Sequence, residues 1–183
     1  MLNFAALDFE TADYGADSAC SVGIVRVENG VVVQRVSRLI RPPRREFLFT
    51  YIHGLTWNDV AEQPHFGDLW PQLAHLFEGI DFIAAHNASF DRKVLMACCS
   101  TYGVQVPAVP FRCTVELSRE VWSIRPTRLS NVCEKLGIAL NHHEALSDAN
   151  ACAEIVLRAY GEKSGTKTTV GAEKSTSSAP LSL

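Results

Sequence analysis

LNFAALDFET, residues 2–11, is the stretch of sequence that decides the fold. Residues 2–9 predict a β-strand, and two acids stand at its end. Asp8 and Glu10 are two positions apart, so on a strand both side chains project from the same face of the sheet. Like charges there repel each other unless a cation lies between them. The segment therefore indicates either a strand end that turns both acids to solvent or a strand that presents them to a cation.

The rest of the chain predicts an α/β fold. Two runs rich in β-branched residues, 20–27 and 31–40, are separated by Asn29-Gly30, which is typical of a hairpin. A short apolar run at 81–86 predicts a further buried strand. Helical spacing predicts helices over 67–78, 89–102, 127–136 and 145–160. Three early strands followed by helices that alternate with a strand indicate a mixed central β-sheet flanked by α-helices.

Length and composition predict one domain and a tail. Twelve of the 23 residues in 161–183 are Ser, Thr or Gly and none is aromatic, so we expect a flexible tail after a folded domain at 1–160. The 17 basic and 20 acidic residues give a net charge of -3, which excludes a small basic protein that binds nucleic acid by charge alone. An enzyme whose positive charge comes from bound metal is not excluded.

The apolar run at the start stops at Leu7 with no basic residue ahead of it, which does not match a signal peptide. No stretch approaches the length of a membrane span. The six cysteines contain no Cys-x-x-Cys pair and most lie in apolar segments, so we expect buried free thiols. These features predict a protein of the reducing cytoplasm that does not enter a membrane.

Two further acids lie on apolar helix faces. Asp91 shares its face of the predicted helix with Val94 and Leu95, and Asp148 shares its face with Cys152. The helix dipole favours an acid in a first turn, which explains the position along the helix but not the face. An acid on a buried face needs a partner. Four converging carboxylates suit Mg²⁺ or Mn²⁺, and they are what a two-metal phosphoryl-transfer site requires.

A histidine precedes the last of these acids. His143 is five positions before Asp148, an offset that does not stack on a helix face, so we expect it in the loop or first turn before the helix. There it could accept the proton of a metal-bound water at neutral pH. The alternative is a surface loop histidine, which is what we expect of the neighbouring His142.

These residues resemble the DnaQ-like 3′–5′ exonucleases, the DEDDh family on the ribonuclease H-like fold. Three motifs match in order, and the resemblance covers roughly residues 3–160. They are Asp8-Phe9-Glu10-Thr11, His86-Asn87-Ala88-Ser89-Phe90-Asp91, and His143-x-Ala145-x-x-Asp148-Ala149. The segment His53-Gly54-Leu55-Thr56 followed by Pro64-x-Phe66 is also similar to the family's loop between the hairpin and the first helix.

The resemblance implies a role for each residue of the set. Asp8 would bridge two Mg²⁺ or Mn²⁺ ions. Glu10 and Asp148 would hold the ion that carries the nucleophilic water, and Asp91 would bind the second ion. His143 would be the general base. The implied reaction is release of nucleoside 5′-monophosphates from a single-stranded 3′ end.

The resemblance also implies residues that bind substrate. Thr11 and the His53 loop would touch the terminal nucleotide, and Asn87 is predicted to bind substrate as well. Phe9, Phe90, Tyr51 or Trp57 could pack against a base, although an aromatic residue near a core strand is more often core.

Basic residues predict where the rest of a strand would lie. Arg41, Arg44 and Arg45, with Arg35 and Arg38 ahead of them, form a run with no acid from 35 to 45. The run indicates either a rim that contacts phosphates or a solvated strand end. A second, looser basic group comprises Arg112, Arg119, Arg125 and Arg128.

DNA is the substrate that we expect, in repair or proofreading, and two alternatives stay open. One is an exonuclease that processes RNA 3′ ends, because only contacts to the 2′-hydroxyl separate the two substrates. The other is a subunit whose activity serves a polymerase partner, with 161–183 as a docking segment. The oligomeric state is not predicted.

Overall fold

β1 (Phe4–Thr11) lies in the middle of a five-stranded sheet in a computed structural model that describes residues 1–163. It pairs antiparallel with β2 (Ala19–Glu28), which pairs antiparallel with β3 (Val31–Leu39). On its other side it pairs parallel with β4 (Phe82–Ala85), which pairs parallel with β5 (Phe111–Cys113). The strand order is β3-β2-β1-β4-β5. The predicted hairpin and the mixed sheet are confirmed.

Helices cover both faces of the sheet. α3 (Phe66–Leu73) and α4 (Ser89–Tyr102) pack on one face. α5 (Thr114–Trp122), α6 (Leu129–Leu136) and α7 (Ala145–Lys163) pack on the other. Two single turns precede them in the chain, α1 (Thr50–His53) and α2 (Trp57–Val60).

The alternation of side chains along β1 separates two hydrophobic cores. Leu7 and Phe9 belong to the core under α3 and α4, whereas Phe4 and Ala6 belong to the core under α5, α6 and α7. Asp8 continues the second set, because residues at i and i+2 share a face. The acid pair of β1 is therefore directed to the face that carries α7.

Several boundaries differ from the sequence-based prediction. The helix predicted over 67–78 is α3 followed by a 3-10 turn at Ala74–Phe77, since the last turns of a helix often tighten. The helix predicted over 127–136 begins at Leu129, because Arg128 has extended backbone. β5 and α5 were not predicted at all. β5 is three residues long and half-buried throughout, so it is too short to show a periodic pattern of apolar residues.

The last helix continues to Lys163, three residues beyond the boundary predicted from composition. The remainder of the predicted tail, 164–183, lies outside the described residues. Within residues 1–163, no helix combines the length and the apolar character needed to cross a membrane. All six cysteines are free thiols, and all but Cys113 are buried.

β3 forms one edge of the sheet. Its outward positions are exposed, including Val31 at 63% and Val33 at 51%, and Arg35 and Arg38 lie on the same strand. The opposite edge is the short β5. Among the residues described, no strand pairs with the outer side of β3.

Candidate active site

Three carboxylates meet where β1 ends beside the first turn of α7. Side-chain oxygens of Asp8, Glu10 and Asp148 all lie within 4.8 Å of one another. Asp8 and Glu10 reach this place because they share the β1 face that α7 covers. Asp148 reaches it from the first turn of α7. The N-terminus of this helix is capped by Glu144, whose carboxylate accepts hydrogen bonds from the N–H groups of Leu146 and Ser147.

A glycine lets α7 approach the sheet this closely. Gly23 of β2 is the residue paired with Asp8. A Cβ atom at Gly23 would lie 2.1 Å from the carbonyl oxygen of Ala145, the first residue of α7. The start of α7 therefore rests on bare backbone, and sequence reasoning did not identify this position as part of the site.

Asp91 enters from the opposite face of the sheet. It is 1% exposed, in the first turn of α4, and its Oδ1 accepts a hydrogen bond of 3.0 Å from the backbone N–H of Phe9. That N–H lies between the two acids of β1. The carboxylate thus satisfies a buried backbone donor of the sheet and also places a fourth negative charge beside Asp8.

Burial and mutual repulsion make all four acids hard to ionise. The pKa of Asp8 is raised well above its ordinary value by burial and by the charge of Asp91. Burial and the charge of Asp148 raise the pKa of Glu10 from 4.5 to about 8. Burial also raises the pKa of Asp91 and of Asp148, although a hydrogen bond from Phe9 opposes the first shift. A cation among them would relieve all four penalties.

The donor set fits a divalent cation. Oδ1 of Asp148 is buried and has no hydrogen-bond partner within residues 1–163, although buried carboxylate oxygens are normally satisfied. Its neighbours are carboxylate oxygens, which are the ligands that Mg²⁺ and Mn²⁺ take in proteins. Asp8, Glu10 and Asp148, with Asp91 beside them, are therefore the residues that could hold metal.

Two adjacent histidines hold the other oxygen of Asp148. The backbone N–H of His143 donates to Oδ2 at 3.2 Å, and Nδ1 of His142 lies 2.8 Å from the same atom. The two imidazole rings stack with centroids 3.8 Å apart. His142 is exposed, as predicted, but its ring also contacts Asp148, which was not predicted. The doubled histidine ahead of the acid was the available signal.

His143 is in the loop before α7, as its offset from Asp148 predicted, with a left-handed backbone at φ 67°. Its pKa is lowered from 6.5, first by burial and then by His142, while Asp148 opposes the shift. The ring is therefore neutral at pH 7, which is the state in which it can accept a proton.

These groups line an open cleft of about 420 Å³. The lining also includes residues of β1 and of the segment after β3, namely Thr11, Phe49, Ile52 and His53. Residues of the segments that follow β4 and precede α6 line it too, namely His86, Phe90, Arg128 and Leu129. His53 is bonded to β1. Its Nδ1 accepts from the N–H of Leu55 at 3.1 Å, so its Nε2 carries the proton and donates to the carbonyl of Thr11 at 3.2 Å.

The other predicted substrate residues are distributed unevenly. Phe9 lines the cleft but is 3% exposed and packs against Phe66 in the core. Phe90 is 44% exposed on the wall of the cleft. Asn87, which accepts a hydrogen bond from Ser89, is not among the lining residues, nor are the two remaining aromatic candidates, Tyr51 and Trp57.

The arginines of the first basic run lie outside the cleft and contact protein groups. Arg44 bonds Asp13 at 2.9 Å and Asp17 at 2.6 Å. Arg41 donates to the carbonyl of Ala61, and the guanidinium of Arg45 lies 5.3 Å from the ring centroid of Trp57. The sequence run contains no acid, but the fold brings acids from the β1–β2 loop to Arg44. The contact of Arg41, Arg44 and Arg45 with phosphates stays a prediction.

A mixed sheet flanked by helices, with four acids and a histidine at the end of its central strand, defines an α/β metal-dependent nuclease of the ribonuclease H-like fold. The chain belongs to the RNase_T exonuclease family, whose model matches residues 5–156. It carries a DEDDh-type exonuclease domain, as the three sequence motifs predicted. Members of the family depend on divalent metals.

Individual relatives agree with this family. The chain is 30% identical over 159 residues to a PolC-type DNA polymerase III from Thermotoga petrophila, covering 85% of this chain and 12% of that protein. It is 32% identical over 147 residues to exodeoxyribonuclease 10 of Escherichia coli K12, covering 74% of this chain and 59% of that protein. The chain thus spans only part of each of these curated relatives.

One solved structure is similar along nearly its whole length. Exonuclease X in complex with 5′ overhanging duplex DNA superposes with a TM-score of 0.71 and 25% identity. The match covers 88% of this chain and 93% of that one.

Proposed function

We propose that this chain is a 3′–5′ exonuclease that releases nucleoside 5′-monophosphates from the 3′ ends of DNA. The observation that carries the proposal is the convergence of Asp8, Glu10, Asp148 and His143 in an open cleft, with the buried Asp91 beside Asp8. The similarity to exonuclease X bound to DNA supports DNA as the substrate.

Each residue of the set has a proposed task. Two divalent ions, Mg²⁺ or Mn²⁺, would neutralise the carboxylates and the scissile phosphate and would make bound water more acidic. Asp8, Glu10, Asp91 and Asp148 would hold them. His142 and the N–H of His143 fix Oδ2 of Asp148, which directs Oδ1 toward a ligand.

The reaction moves two protons and breaks one phosphorus–oxygen bond. His143, neutral at pH 7, takes a proton from the attacking water. The water oxygen bonds to phosphorus, and the bond from phosphorus to the 3′ oxygen of the preceding nucleotide breaks. That oxygen takes a proton from solvent and becomes the new 3′-hydroxyl. The terminal residue leaves as a 5′-monophosphate. Thr11, His53 and Phe90, which line the cleft, are proposed to contact its sugar and base.

A digestion series at fixed salt tests the proposal. It compares single-stranded DNA, duplex DNA with recessed or mismatched 3′ ends, and short RNA, with Mg²⁺, with Mn²⁺ and with chelator. We expect metal-dependent release of mononucleotides from the 3′ end of DNA. Faster digestion of RNA would replace DNA as the substrate, and no digestion of either would refute the proposal.

A pair of matched variants tests the site. Asp148→Asn should abolish digestion, whereas Asp68→Asn, an exposed acid in the first turn of α3, should leave it intact. Retained activity in Asp148→Asn would contradict the assignment of the metal ligands.

A polymerase partner and a cytoplasmic location remain parts of the proposal. The similarity to PolC-type DNA polymerase III supports a polymerase partner, and the six free thiols fit a reducing compartment. Co-purification with a polymerase, lost on deletion of 164–183, would support the partner role and the docking segment. Full activity without a partner would support a stand-alone enzyme.

A further inference from the structure

Among the residues that line the cleft, one is an arginine, Arg128. Its side chain is exposed and lines the cleft together with Asp8 and His143. It takes part in none of the ion pairs found within residues 1–163. A guanidinium in a cleft of acids, with no acid paired to it, is available to an anionic ligand.

The loop that carries Arg128 is anchored from several sides. Ile124 and Leu129, on either side of it, are 6% and 4% exposed. The carbonyl of Thr127 bonds Nε2 of His86 at 3.0 Å, and the hydroxyl of Thr127 accepts from Nε of Arg119 at 3.0 Å. Arg128 therefore has a fixed backbone and a free head group.

His86 ties this loop to the rest of the site. Its other ring nitrogen bonds the hydroxyl of Thr114 at 2.8 Å, at the start of α5. His86 itself directly follows β4, in the segment that leads to Asp91 and α4. The backbone next to Arg128 is thus bonded to the segment that leads to α4, the helix that carries Asp91.

We propose that Arg128 binds the phosphate that lies one nucleotide inward from the scissile phosphate of a single-stranded 3′ end. The inference rests on the proposed function. The terminal nucleotide has no phosphate beyond the scissile one, and that phosphate must lie at the carboxylates. Arg128 lines the same cleft but forms no ion pair with those carboxylates within residues 1–163, so we assign to it the next charge along the strand. Arg119 and Arg125, also exposed and without ion pairs in residues 1–163, lie on the segment that leads to Arg128.

Short thymidine oligonucleotides separate the two phosphates. The dinucleotide TpT contains only the scissile phosphodiester, whereas TpTpT contains the next one as well. Arg128→Gln should leave kcat/KM for TpT unchanged. It should lower kcat/KM for TpTpT and longer strands about tenfold, through KM rather than kcat. The dependence of log KM on log salt for a longer strand should become shallower by about 0.7.

Two variants control the measurement. Arg128→Lys keeps the charge and should therefore keep most of the kcat/KM that the unaltered protein has for TpTpT. Arg158→Gln removes an arginine about 15 Å along α7 from Asp148 and should change neither substrate.

Each failure has its own signature. An equal loss on TpT and TpTpT would place Arg128 at the scissile phosphate and would overturn the inference, as would unchanged kinetics on every length. Absence of cleavage by the unaltered protein at all lengths would instead refute the proposed function.

Discussion

Substitution of Gly23 by alanine should disable the site without touching any of its acids. The new Cβ would lie 2.1 Å from the carbonyl oxygen of Ala145, 2.3 Å from its carbonyl carbon and 2.5 Å from the nitrogen of Leu146. All three are backbone atoms, so no side chain can rotate away. Because real Cβ contacts are almost never under 3.0 Å, the start of α7 must move away from β2 by about 1 Å.

That displacement has two measurable consequences. Overpacking of this kind costs about 1–3 kcal/mol of the free energy of unfolding. Asp148 lies in the turn that must move, and a misplacement of about 1 Å at a reacting centre lowers kcat by about 100-fold.

Thermal unfolding and kcat on a single-stranded oligonucleotide measure both effects. Ser37→Ala is the matched control. Ser37 of β3 is exposed and is the residue paired with Gly23 of β2, and its substitution should change stability by less than about 0.5 kcal/mol. A Gly23→Ala protein with unaltered melting temperature and kcat would show that α7 does not depend on this close approach.

Three further perturbations have defined outcomes. Asp91→Asn should abolish activity but keep an acceptor for the N–H of Phe9. Asp91→Ala should abolish activity and also lose about 1–3 kcal/mol of stability in denaturant titrations, because that N–H is then left without an acceptor. Equal stability of the two variants would contradict the role of this hydrogen bond. With chelator present, stability should fall as pH rises from about 5 to about 8, because folded Glu10, with its pKa raised from 4.5 to about 8, keeps a proton that the unfolded chain releases. The loss of stability has an upper limit of about 5 kcal/mol, which partial exposure of Glu10 reduces to about 2 kcal/mol. Mn²⁺ in place of the chelator should abolish this dependence on pH, and a melting temperature that does not change with pH in chelator would refute the raised pKa of Glu10. His143→Ala should lower kcat by about 100- to 10,000-fold with metal binding retained in calorimetric titrations, and lost binding would make His143 a ligand instead.

The sequence allowed the prediction of those parts of the site that depend on local periodicity. The spacing of Asp8 and Glu10 fixes their common face, and the position of Asp148 on an apolar stripe predicts its burial beside them. The same reasoning placed Asp91 on a buried face, although it did not foresee its bond to the backbone of Phe9.

Contacts between distant segments could not be predicted in this way. Arg44 looked available because its own stretch has no acid, yet Asp13 and Asp17 reach it from another loop. Gly23 resembles any other strand glycine until α7 lies on it. Arg128 was one member of a loose basic group, and only the anchored loop before α6 brings it to the cleft.

The long outer edge of β3 bears on how the protein behaves at high concentration. An exposed edge strand offers unpaired backbone groups to other chains, and Val31 and Val33 add apolar surface to it. Arg35 and Arg38 on the same strand oppose edge-to-edge association, since two copies would bring like charges together. Their removal would therefore convert this edge into a template for intermolecular β-pairing, so these arginines protect solubility.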